Sequence, residues 1–506
     1  MPMETKDAPK PGKICANCGV DVSNLRRFKD PHGIYYCADC YAAVAPGSSA
    51  SAAPPVSAPP PPVPPKTPDR LNPRLFGLIS SVTCPHCWHV FAPQDVMWIA
   101  AHNDLVGDAV LGPEKPRRFV PTRFTISGQA IDARGVTCQQ LACPRCHLVL
   151  PRSAIEAQPL FVSIIGGPKT GKSYLLAAMT WELRKRLPTA FAISFNDADP
   201  VANQHLNEYE ATLFLAEDPE KLVALAKTEE SGELYDQANL GGHTVSLPRP
   251  FLFNVRPTPQ HLHANHGERV SRVICMYDNA GESYQPGKDT MASPVTQHLA
   301  KSRVLIFLFD PTQDPRVRDK CRVFSQDPQL TSSRGTQRQE ILLNEAASRV
   351  RRYANLPPGK KHDRPLMVLV PKSDVWGSLL DEDLISEPIL PNAVVGGLAA
   401  VDVVRIEAVS RKLRTLLLNE TPELVAAAED FWQHVVYIPI SALGRSPEEA
   451  TLPDGGTGLF VRPKDITPRW AAAPVLYMFA RWTKGLIAGN GTVGRPSTKD
   501  ATMVNH

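Results

Sequence analysis

An excess of charge of one sign is missing from this sequence. Its 55 Lys and Arg nearly balance its 51 Asp and Glu, which leaves a formal net charge of +4. Bulk charge therefore does not direct the 506-residue chain to nucleic acid or to an anionic membrane. A chain of this length is too long for a single hydrophobic core, so we expect several domains.

Long hydrophobic runs and a leading signal peptide are missing as well. Apolar runs such as Val304 to Phe309 and Leu366 to Val370 are far shorter than the roughly 20 residues that cross a bilayer. No basic segment followed by an apolar one opens the sequence, as a secretion signal would. We expect a cytoplasmic protein with no membrane span.

Cysteine is concentrated at one end of the chain. Nine of the 11 cysteines precede residue 150, and eight of them form CxxC pairs. In a chain without a secretion signal such pairs indicate zinc ligands rather than disulfides. We predict two structural zinc sites, the first formed by Cys15, Cys18, Cys37 and Cys40 and the second by Cys84, Cys87, Cys143 and Cys146. The long interval within the second site leaves Cys138, His86, His89 and His147 as alternative ligands.

Proline is abundant, and its distribution indicates the domain boundaries. Eight prolines fall within Pro54 to Pro65, a composition that cannot form a core and favours an extended spacer; a ligand for a proline-binding domain is the alternative. The predicted segments are a zinc finger at 1–42, a disordered linker at 43–75, a zinc ribbon with a β insertion at 76–152, an α/β domain at 158–489 and a disordered tail at 490–506. The α/β domain is predicted to contain a helical insertion at about 196–240.

A phosphate-binding loop is the strongest motif. The apolar run Leu160 to Ile165 leads into GGPKTGKS, and apolar residues at helical spacing follow it. A G-x4-G-K-S loop between a strand and a helix directs backbone N–H groups at phosphate. Lys172 is predicted to reach the β and γ phosphates and Ser173 to bind magnesium. The nucleotide-binding residues of this segment are Gly166, Gly167, Pro168, Lys169, Thr170, Gly171, Lys172, Ser173 and Tyr174.

Three further strings follow apolar runs in order along the chain. Asp278 begins DNAGE, where an acid serves magnesium and Gly281 can approach a γ phosphate. In PKSD the stem of Lys372 would cover a purine face, and the Asp374 carboxylate would accept hydrogen bonds from guanine, which adenine cannot donate. The third string is Ser441, Ala442 and Leu443, where a backbone N–H would meet the guanine oxygen.

GGPKTGKS, DNAGE, PKSD and SAL resemble the main boxes of the TRAFAC class of GTPases. Together with the alternating strands and helices, this predicts an α/β P-loop NTPase fold of the Ras-like type: a mostly parallel sheet with helices on both faces, preceded by two small zinc-binding β-rich modules. The zinc modules and a closing Leu459-to-Pro463 stretch resemble the bacterial double-GTPase family (double-GTPase 2 type), which implies conflict or anti-phage systems and a second GTPase on a partner protein.

The sequence departs from the resemblance at three points. Pro371 stands where Asn or Thr is usual, which weakens the base assignment. Glu282 stands where many GTPases have a water-orienting Gln, so we expect slow hydrolysis unless a partner activates it. The interval between Ser173 and Asp278 is long, and its helical insertion is a candidate partner surface.

The switch threonine that would sense γ phosphate through magnesium must lie in that interval. Thr244, in a loop flanked by glycines, is the candidate, and Thr258 is the alternative. No arginine finger is assigned among Arg249, Arg256, Arg269 and Arg272.

Partners are predicted from the zinc half and from the nucleotide boxes. The small positive excess of the zinc half is offset by thiolate sites that each carry about two negative charges, so protein docking is preferred there. The sequence thus predicts a GTP/GDP-binding, Mg²⁺- and Zn²⁺-dependent GTPase switch. A P-loop ATPase and a zinc-ribbon nucleic-acid binder with a regulatory nucleotide site are the alternatives.

Overall fold

A computed structural model describes residues 13–16, 20–29, 33–38, 40–41, 77–225, 235–278, 297–331, 338–451 and 456–490. The chain forms two compact units, Met1–Arg70 and Leu71–His506. In the first unit, strand Arg27–Lys29 pairs with Tyr35–Cys37 in an antiparallel hairpin. Phe28 stacks on Tyr41 with ring centroids 4.5 Å apart. This unit thus contains a small hairpin with aromatic packing, as expected for a module too short to bury a core.

The second unit opens with a β-rich module at residues 77–150. Its strands are Val82–Thr83, Val90–Phe91, Met97–Ile99, Val106–Asp108, Gly112–Pro116, Arg118–Phe119, Leu141–Ala142 and Val149–Leu150. Four of them form one antiparallel sheet, and the other four form two hairpins. A cluster of apolar side chains and five buried cysteines forms the core of this module. Because they contain the second predicted zinc site, we call residues 77–150 the second zinc module.

A seven-stranded sheet forms the centre of the second unit. Its strands are β1 Gln158–Gly166, β2 Ile193–Asp197, β3 Phe251–Pro257, β4 Arg272–Asp278, β5 Val304–Leu308, β6 Leu366–Val370 and β7 Val435–Pro439. The spatial order is β2-β3-β4-β1-β5-β6-β7. Within this sheet β3 runs against its neighbours, because it pairs antiparallel with both β2 and β4, whereas the remaining pairs are parallel. The carboxyl ends of β1, β4, β5, β6 and β7 therefore meet at one edge of the sheet, where open α/β sheets bind ligands.

Long helices connect and cover the strands. Those in the described part of the chain are α1 Lys172–Phe191, α2 Gln204–Phe214, α3 Gln339–Tyr353, α4 Val403–Glu420, α5 Pro422–Phe431 and α6 Ala473–Trp482. Shorter helical segments are Pro93–Asp95, Ser153–Glu156, Ala264–His266, Gly267–Val270, His298–Lys301, Pro311–Gln313, Pro315–Cys321, Pro328–Thr331, Ser373–Trp376, Gly377–Leu379 and Pro463–Asp465. In α4 the Asp402 side chain accepts the Arg405 N–H as an N-cap. Ile406, Leu413 and Leu417 form its buried face.

The two faces of β4 have different environments. Ile274 and Met276 lie in the main core, whereas Tyr277 belongs to a separate apolar cluster that also contains Trp88 of the second zinc module. Successive side chains of a strand point to opposite faces. The zinc module therefore covers one face of the sheet next to β4, while helices pack on the other.

The interval predicted to be a helical insertion, about 196–240, contains both helix and strand. Helix α2 covers Gln204–Phe214, and residues 226–234 lie outside the described part. Tyr235–Leu240 pairs with His243–Pro248 in a hairpin, whose two-residue Gly241-Gly242 turn favours tight reversal. Other small hairpins pair Ile389–Leu390 with Ala400–Val401 and Glu448–Thr451 with Thr457–Phe460. Among the described residues, no helix is both long and apolar enough to cross a membrane.

The topology is that of a P-loop NTPase. A mostly parallel sheet has the glycine-rich loop at the carboxyl end of its central strand β1, and this loop leads directly into α1. The predicted fold class is confirmed: an α/β sheet with helices, preceded by small β-rich modules that contain the cysteine clusters.

Candidate functional site

The phosphate loop lies between β1 and α1, as the sequence predicted. Lys172 Nζ donates to the carbonyl oxygens of Gly166 at 3.0 Å and Gly167 at 3.4 Å. The buried Thr170 hydroxyl donates to Gly167 O at 2.9 Å, which holds the loop curled from inside. A Cβ atom on Gly166 would lie 3.0 Å from Leu308 Cβ and 3.1 Å from Thr170 Oγ1, so β5 leaves no room for a side chain there. The lysine ammonium is thus held over the loop, where phosphate oxygens would bind.

Asp278 ends β4 beside the loop. It pairs in register with Ile164 of β1, and its Oδ1 atom is buried with no hydrogen-bond partner among the described residues. Burial raises the pKa of the Asp278 carboxyl to about 6, against the opposing charges of Lys172 and His205. A buried carboxylate that accepts no hydrogen bond is unfavourable. A bound divalent cation that prefers oxygen ligands, such as Mg²⁺, would neutralise its charge. The position fits the predicted magnesium acid, with Ser173 in the first turn of α1 as the hydroxyl ligand.

His205 is a site residue that the sequence did not indicate. It lies in the first turn of α2, and one ring nitrogen is 2.6 Å from Tyr209 Oη. Its charge lowers the pKa of Asp278, which places it near that carboxylate. Tyr174, predicted as a nucleotide residue, accepts a hydrogen bond from Leu225 N at 3.1 Å, and burial raises the pKa of its hydroxyl. No local motif surrounds His205, so only the fold could have shown its position.

The PKSD turn is joined to the end of β5 by a partly buried ion pair. Lys372 Nζ lies 2.5 Å from Asp310 Oδ2, and Asp310 is fully buried. The same ammonium donates to Thr312 Oγ1 at 3.2 Å and to Gln329 Oε1 at 2.9 Å. Lys372 thus has a fixed head group, which leaves its aliphatic stem as the part that could cover a purine.

Gln313 extends this network to the phosphate loop. Its side-chain amide donates to Asp310 Oδ2 at 3.1 Å and to Pro168 O at 3.3 Å. Asp310 also caps the following turn, since its Oδ1 accepts from Thr312 N at 3.0 Å. In the sequence, the Asp-Pro-Thr string at residues 310–312 is typical of a helix cap. It was the one local signal that could have indicated the role of Asp310.

The segment Ser441 to Leu443, predicted to contact the base, meets the PKSD turn through Asp374. The Ser441 hydroxyl donates to Asp374 Oδ1, and Gly444 N donates to Ser441 Oγ at 2.8 Å. Ser373 N donates to Ile440 O at 2.9 Å, which joins the two segments along their backbones. Burial raises the pKa of Asp374, with the Ser441 hydrogen bond opposing it. Ala442 and Leu443, the other two residues of this predicted segment, directly follow Ser441 in the chain.

Pro371 braces the turn through its backbone instead of a side chain. Its carbonyl oxygen accepts Trp376 Nε1 at 2.6 Å, and Trp376 is buried. A side chain of Asn or Thr is therefore not needed to hold this turn in place. Asp327 lies nearby, since its charge adds to the raised pKa of Asp374, and its Oδ2 is buried without a hydrogen-bond partner among the described residues.

The structure does not bring the predicted switch threonines to the loop within the described part of the chain. Thr244 is exposed on the hairpin strand His243–Pro248, opposite Asn239. The buried face of that hairpin joins the core of the second zinc module. Thr258 follows β3 at the opposite edge of the sheet, where its hydroxyl donates to Ala192 O at 2.9 Å. The glycines beside Thr244 form a tight turn rather than a nucleotide-binding loop.

Three of the four arginines considered as fingers have other contacts. Arg249 forms two hydrogen bonds with Asp236 within the hairpin, and Arg256 bonds Glu156 at 2.9 Å. Arg272 donates to backbone oxygens of Arg269 and Ser271. Gly281, Glu282 and Cys18 lie outside the described residues.

The second cysteine cluster has the geometry of a tetrahedral zinc site. The sulfur atoms of Cys84, Cys87, Cys143 and Cys146 all lie within 4.8 Å of one another, and all four residues are buried. Two of the sulfur pairs are 3.7 Å apart, close to the roughly 3.8 Å edge of a tetrahedron with zinc–sulfur bonds of about 2.3 Å. The four residues could therefore hold one zinc ion.

Three of the four alternative ligands of the second module, His86, Cys138 and His147, have other partners. One ring nitrogen of His147 lies 2.8 Å from Asp108 Oδ2, and His86 Nε2 lies 3.2 Å from Val149 O. The Cys138 thiol contacts Val136 O. In the first unit, Cys15, Cys37 and Cys40 bring their sulfurs within 4.8 Å of one another.

Comparison with known proteins gives one curated relative in sequence. The chain is 24% identical over 257 residues to "Putative ESX-1 scaffolding and assembly protein SaeC" of Mycolicibacterium smegmatis. The match covers 47% of this chain and 59% of the relative, so the chain spans about six tenths of that protein's length. No protein-family profile matches the chain.

Solved structures to which the chain is weakly similar include several GTPases. Elongation factor SelB of Methanococcus maripaludis, with a GTP analogue, is 11% identical, with 56% of this chain and 30% of that chain covered and a TM-score of 0.17. A variant of Era from Aquifex aeolicus, bound to GDP and aluminium fluoride, is 12% identical, with 56% and 52% covered and a TM-score of 0.20. The signal recognition particle receptor SRb-GTP/SRX complex of Chaetomium thermophilum is 13% identical, with 57% and 93% covered and a TM-score of 0.21. Because these values are low, no activity passes from these proteins to this chain.

Proposed function

We propose that this chain is a guanine-nucleotide-binding switch with slow intrinsic hydrolysis. One arrangement carries the proposal: at the carboxyl edge of the sheet, the Lys172 loop, the buried Asp278 carboxylate and the Asp374–Ser441 pair follow different strands. These are the parts that phosphoryl-transfer sites need: a cradle for phosphates, an acid for the metal and a contact for the base.

The residues act through binding and charge neutralisation. The loop amides and Lys172 would bind the β and γ phosphate oxygens, and Lys172 would exchange its carbonyl contacts for phosphate contacts. Ser173 and Asp278 would hold Mg²⁺, which neutralises charge on those oxygens when bound. Gly281 would report γ phosphate, while the carboxylate of Glu282 would repel it, so unaided hydrolysis would be slow.

Base selection rests on Asp374. Its carboxylate would accept from the N–H groups of guanine, and Ser441 already orients it. Burial raises the pKa of Asp374, because the carboxylate is poorly solvated. The hydrogen bonds from guanine would therefore take the place of the hydration that the carboxylate lacks. The stem of Lys372 would cover one face of the base, with its ammonium held by Asp310.

A P-loop ATPase is the second candidate. The observation in its favour is that Pro371 occupies the position where GTPases usually have Asn or Thr. Pro371 contributes only a carbonyl oxygen, which accepts a hydrogen bond from Trp376. Adenine has no donor pair for Asp374, so an adenine pocket would have to form without this carboxylate.

We also propose that two zinc ions are bound and that the zinc modules dock protein partners. The buried tetrahedral cysteine set of the second module supports zinc there. The sequence relative that bears a scaffolding and assembly name supports partner binding. A cytoplasmic conflict or anti-phage system with a second GTPase is the setting that the family resemblance suggests.

Calorimetry of the full chain with GTP, GDP and ATP in the presence of Mg²⁺ tests the nucleotide proposal. We expect GTP and GDP to bind and ATP to bind at least ~10-fold more weakly, a difference of about 1.4 kcal/mol. Asp374→Ala should abolish the guanine preference, whereas Asp363→Ala, at an exposed aspartate, should retain it. Equal affinity for ATP and GTP in the unmodified chain would favour the ATPase, and no binding of any nucleotide would end the proposal.

A further inference from the structure

The second zinc module contacts β4 through the knuckle formed by residues 84–88. Tyr277 Oη donates to Pro85 O at 2.6 Å and accepts from Trp88 Nε1 at 3.1 Å. Tyr277 is 1% exposed and Trp88 is 6% exposed, so both hydrogen bonds are buried. Tyr277 directly precedes Asp278 in β4. The knuckle therefore holds the residue next to the proposed magnesium acid.

Aromatic rings extend this contact to the central strand β1. The rings of Tyr277 and His298 stack with centroids 4.4 Å apart, and Trp88 lies 6.3 Å from His298. His298 is fully buried, and its Nδ1 is 2.5 Å from Ser163 Oγ on β1. The knuckle is thus tied to both strands whose carboxyl ends form the phosphate and magnesium sites.

The shape of the knuckle depends on its cysteines. Trp88 N donates to Cys84 O at 3.1 Å, and Trp88 has a φ of 54°. A left-handed backbone at a large residue costs about 1 kcal/mol or more, so a local constraint must maintain it. His147, which follows the other CxxC pair, has the same feature with a φ of 59°. A metal bound by Cys84 and Cys87 would supply that constraint and fix the Trp88 ring against Tyr277.

We infer, on the basis of the proposed function, that the metal of the second zinc module sets the affinity for the magnesium–nucleotide complex, with Tyr277 as the positioning residue that connects the knuckle to Asp278. Two hydrogen bonds and the ring stack fix the end of β4 laterally. Asp278 then lies beside the loop although its Oδ1 has no hydrogen-bond partner among the described residues. Linkage makes the coupling reciprocal, so the magnesium–nucleotide complex must raise zinc affinity by the same factor.

The test compares Tyr277→Phe with Tyr437→Phe in the full chain. Both tyrosines are 1% exposed on strands of the same sheet, but the Tyr437 hydroxyl bonds Glu429 rather than the zinc module. For Tyr277→Phe we expect the Mg²⁺ concentration for half-maximal GTP binding to rise roughly three- to tenfold, as loss of buried hydrogen bonds implies. GTP binding without added Mg²⁺ and the zinc content should stay as in the wild type. Tyr437→Phe should leave all three quantities unchanged.

Zinc affinity provides the reciprocal measurement. Zinc competition with a chelator, in a chain whose first site is removed by Cys37→Ser and Cys40→Ser, should show tighter zinc in the presence of Mg²⁺ and GTP. Tyr277→Phe should remove this difference, and Trp88→Phe, which deletes one hydrogen bond, should reduce it. If the wild type binds Mg²⁺–GTP and Tyr277→Phe shows wild-type Mg²⁺ dependence, the inference is wrong while the proposed function stands. If the wild type binds no nucleotide, the proposed function itself fails.

Discussion

Lys372 and the fully buried Asp310 form an ion pair, with Nζ 2.5 Å from Oδ2, that joins the proposed base-binding turn to the end of the neighbouring strand β5. The two residues are remote in sequence, and the pair meets at the end of adjacent parallel strands. Together with Gln313 it connects the base-binding turn to the phosphate loop. The two parts of the proposed nucleotide site are therefore one hydrogen-bonded unit.

Removal of one partner of this pair should be costly. Asp310→Ala leaves the partly buried Lys372 ammonium without its counter-charge, so we expect the free energy of unfolding to fall by about 3 kcal/mol. Guanine-nucleotide affinity should fall roughly tenfold, because the lysine stem is no longer fixed. Denaturant unfolding and calorimetry measure the two effects. Asp363→Ala, at an exposed site, is the control and should change neither; a stable, fully binding Asp310→Ala protein would contradict this prediction.

Gly444 should tolerate no side chain. A Cβ there would lie 2.0 Å from Thr467 O, and its φ of +78° is in the left-handed region. Gly444→Ala should therefore lower stability by about 3 kcal/mol and weaken guanine binding, since Gly444 N holds Ser441 Oγ. Gly359 has a similar φ of +76° but open space around it. Gly359→Ala should cost only about 1 kcal/mol, and equal losses in the two variants would show that the contact with Thr467 has no effect.

Asp278→Asn should stabilise the protein when no Mg²⁺ is bound. Burial raises the folded-state pKa of Asp278 from 3.8 to about 6, so the folded state holds the proton more tightly than the unfolded state. The wild type accordingly loses stability as pH rises from about 4 to about 6, and the loss persists above that range. At about pH 7.5 without added Mg²⁺ we expect the Asn variant to be more stable by about 3 kcal/mol, measured by urea unfolding.

The same substitution should have the opposite effect with magnesium. Asp278→Asn removes a charged ligand, so Mg²⁺-dependent nucleotide binding should weaken at least ~10-fold. In the wild type this binding should also weaken below about pH 6, because protonation of Asp278 competes with Mg²⁺. A variant that is less stable without added Mg²⁺ and binds Mg²⁺–GTP normally would mean that Asp278 is only a structural residue.

Zinc content should distinguish ligand cysteines from the buried bystander. Cys143→Ser should reduce bound zinc from two ions to one per chain, because Cys143 belongs to the four-sulfur cluster. Cys138 is equally buried but outside that cluster, so Cys138→Ser should keep two. Atomic absorption after gel filtration measures both. Zinc loss in Cys138→Ser together with full zinc in Cys143→Ser would reverse the ligand assignment.

Prediction from the sequence worked where the signal was local. The GGPKTGKS string indicated both the strand before it and the helix after it, because glycines and a terminal Lys-Ser at fixed spacing suit one backbone shape. The sheet edge followed from apolar runs that each ended in a polar string. The second cysteine set was also predictable, since CxxC spacing closes a knuckle by itself.

Prediction was weaker where residues depend on distant partners. Thr244 was predicted to lie in a switch loop because glycines precede it, yet Gly241 and Gly242 form a hairpin turn whose strands pack on the second zinc module. The interval around it was predicted to be helical, and a hairpin forms part of it. Apolar spacing within one segment does not reveal which other segment will cover it.

The sequence by itself determined the phosphate loop, the order of the boxes along the chain and the cysteine pairs, because each depends on residues a few positions apart. Only the tertiary structure decided that Lys372 binds Asp310, that His205 lies near Asp278 and that the Trp88 knuckle holds Tyr277. Those contacts join residues far apart in the chain, and they form only because parallel strands bring their ends to one edge and alternate their side chains between two faces.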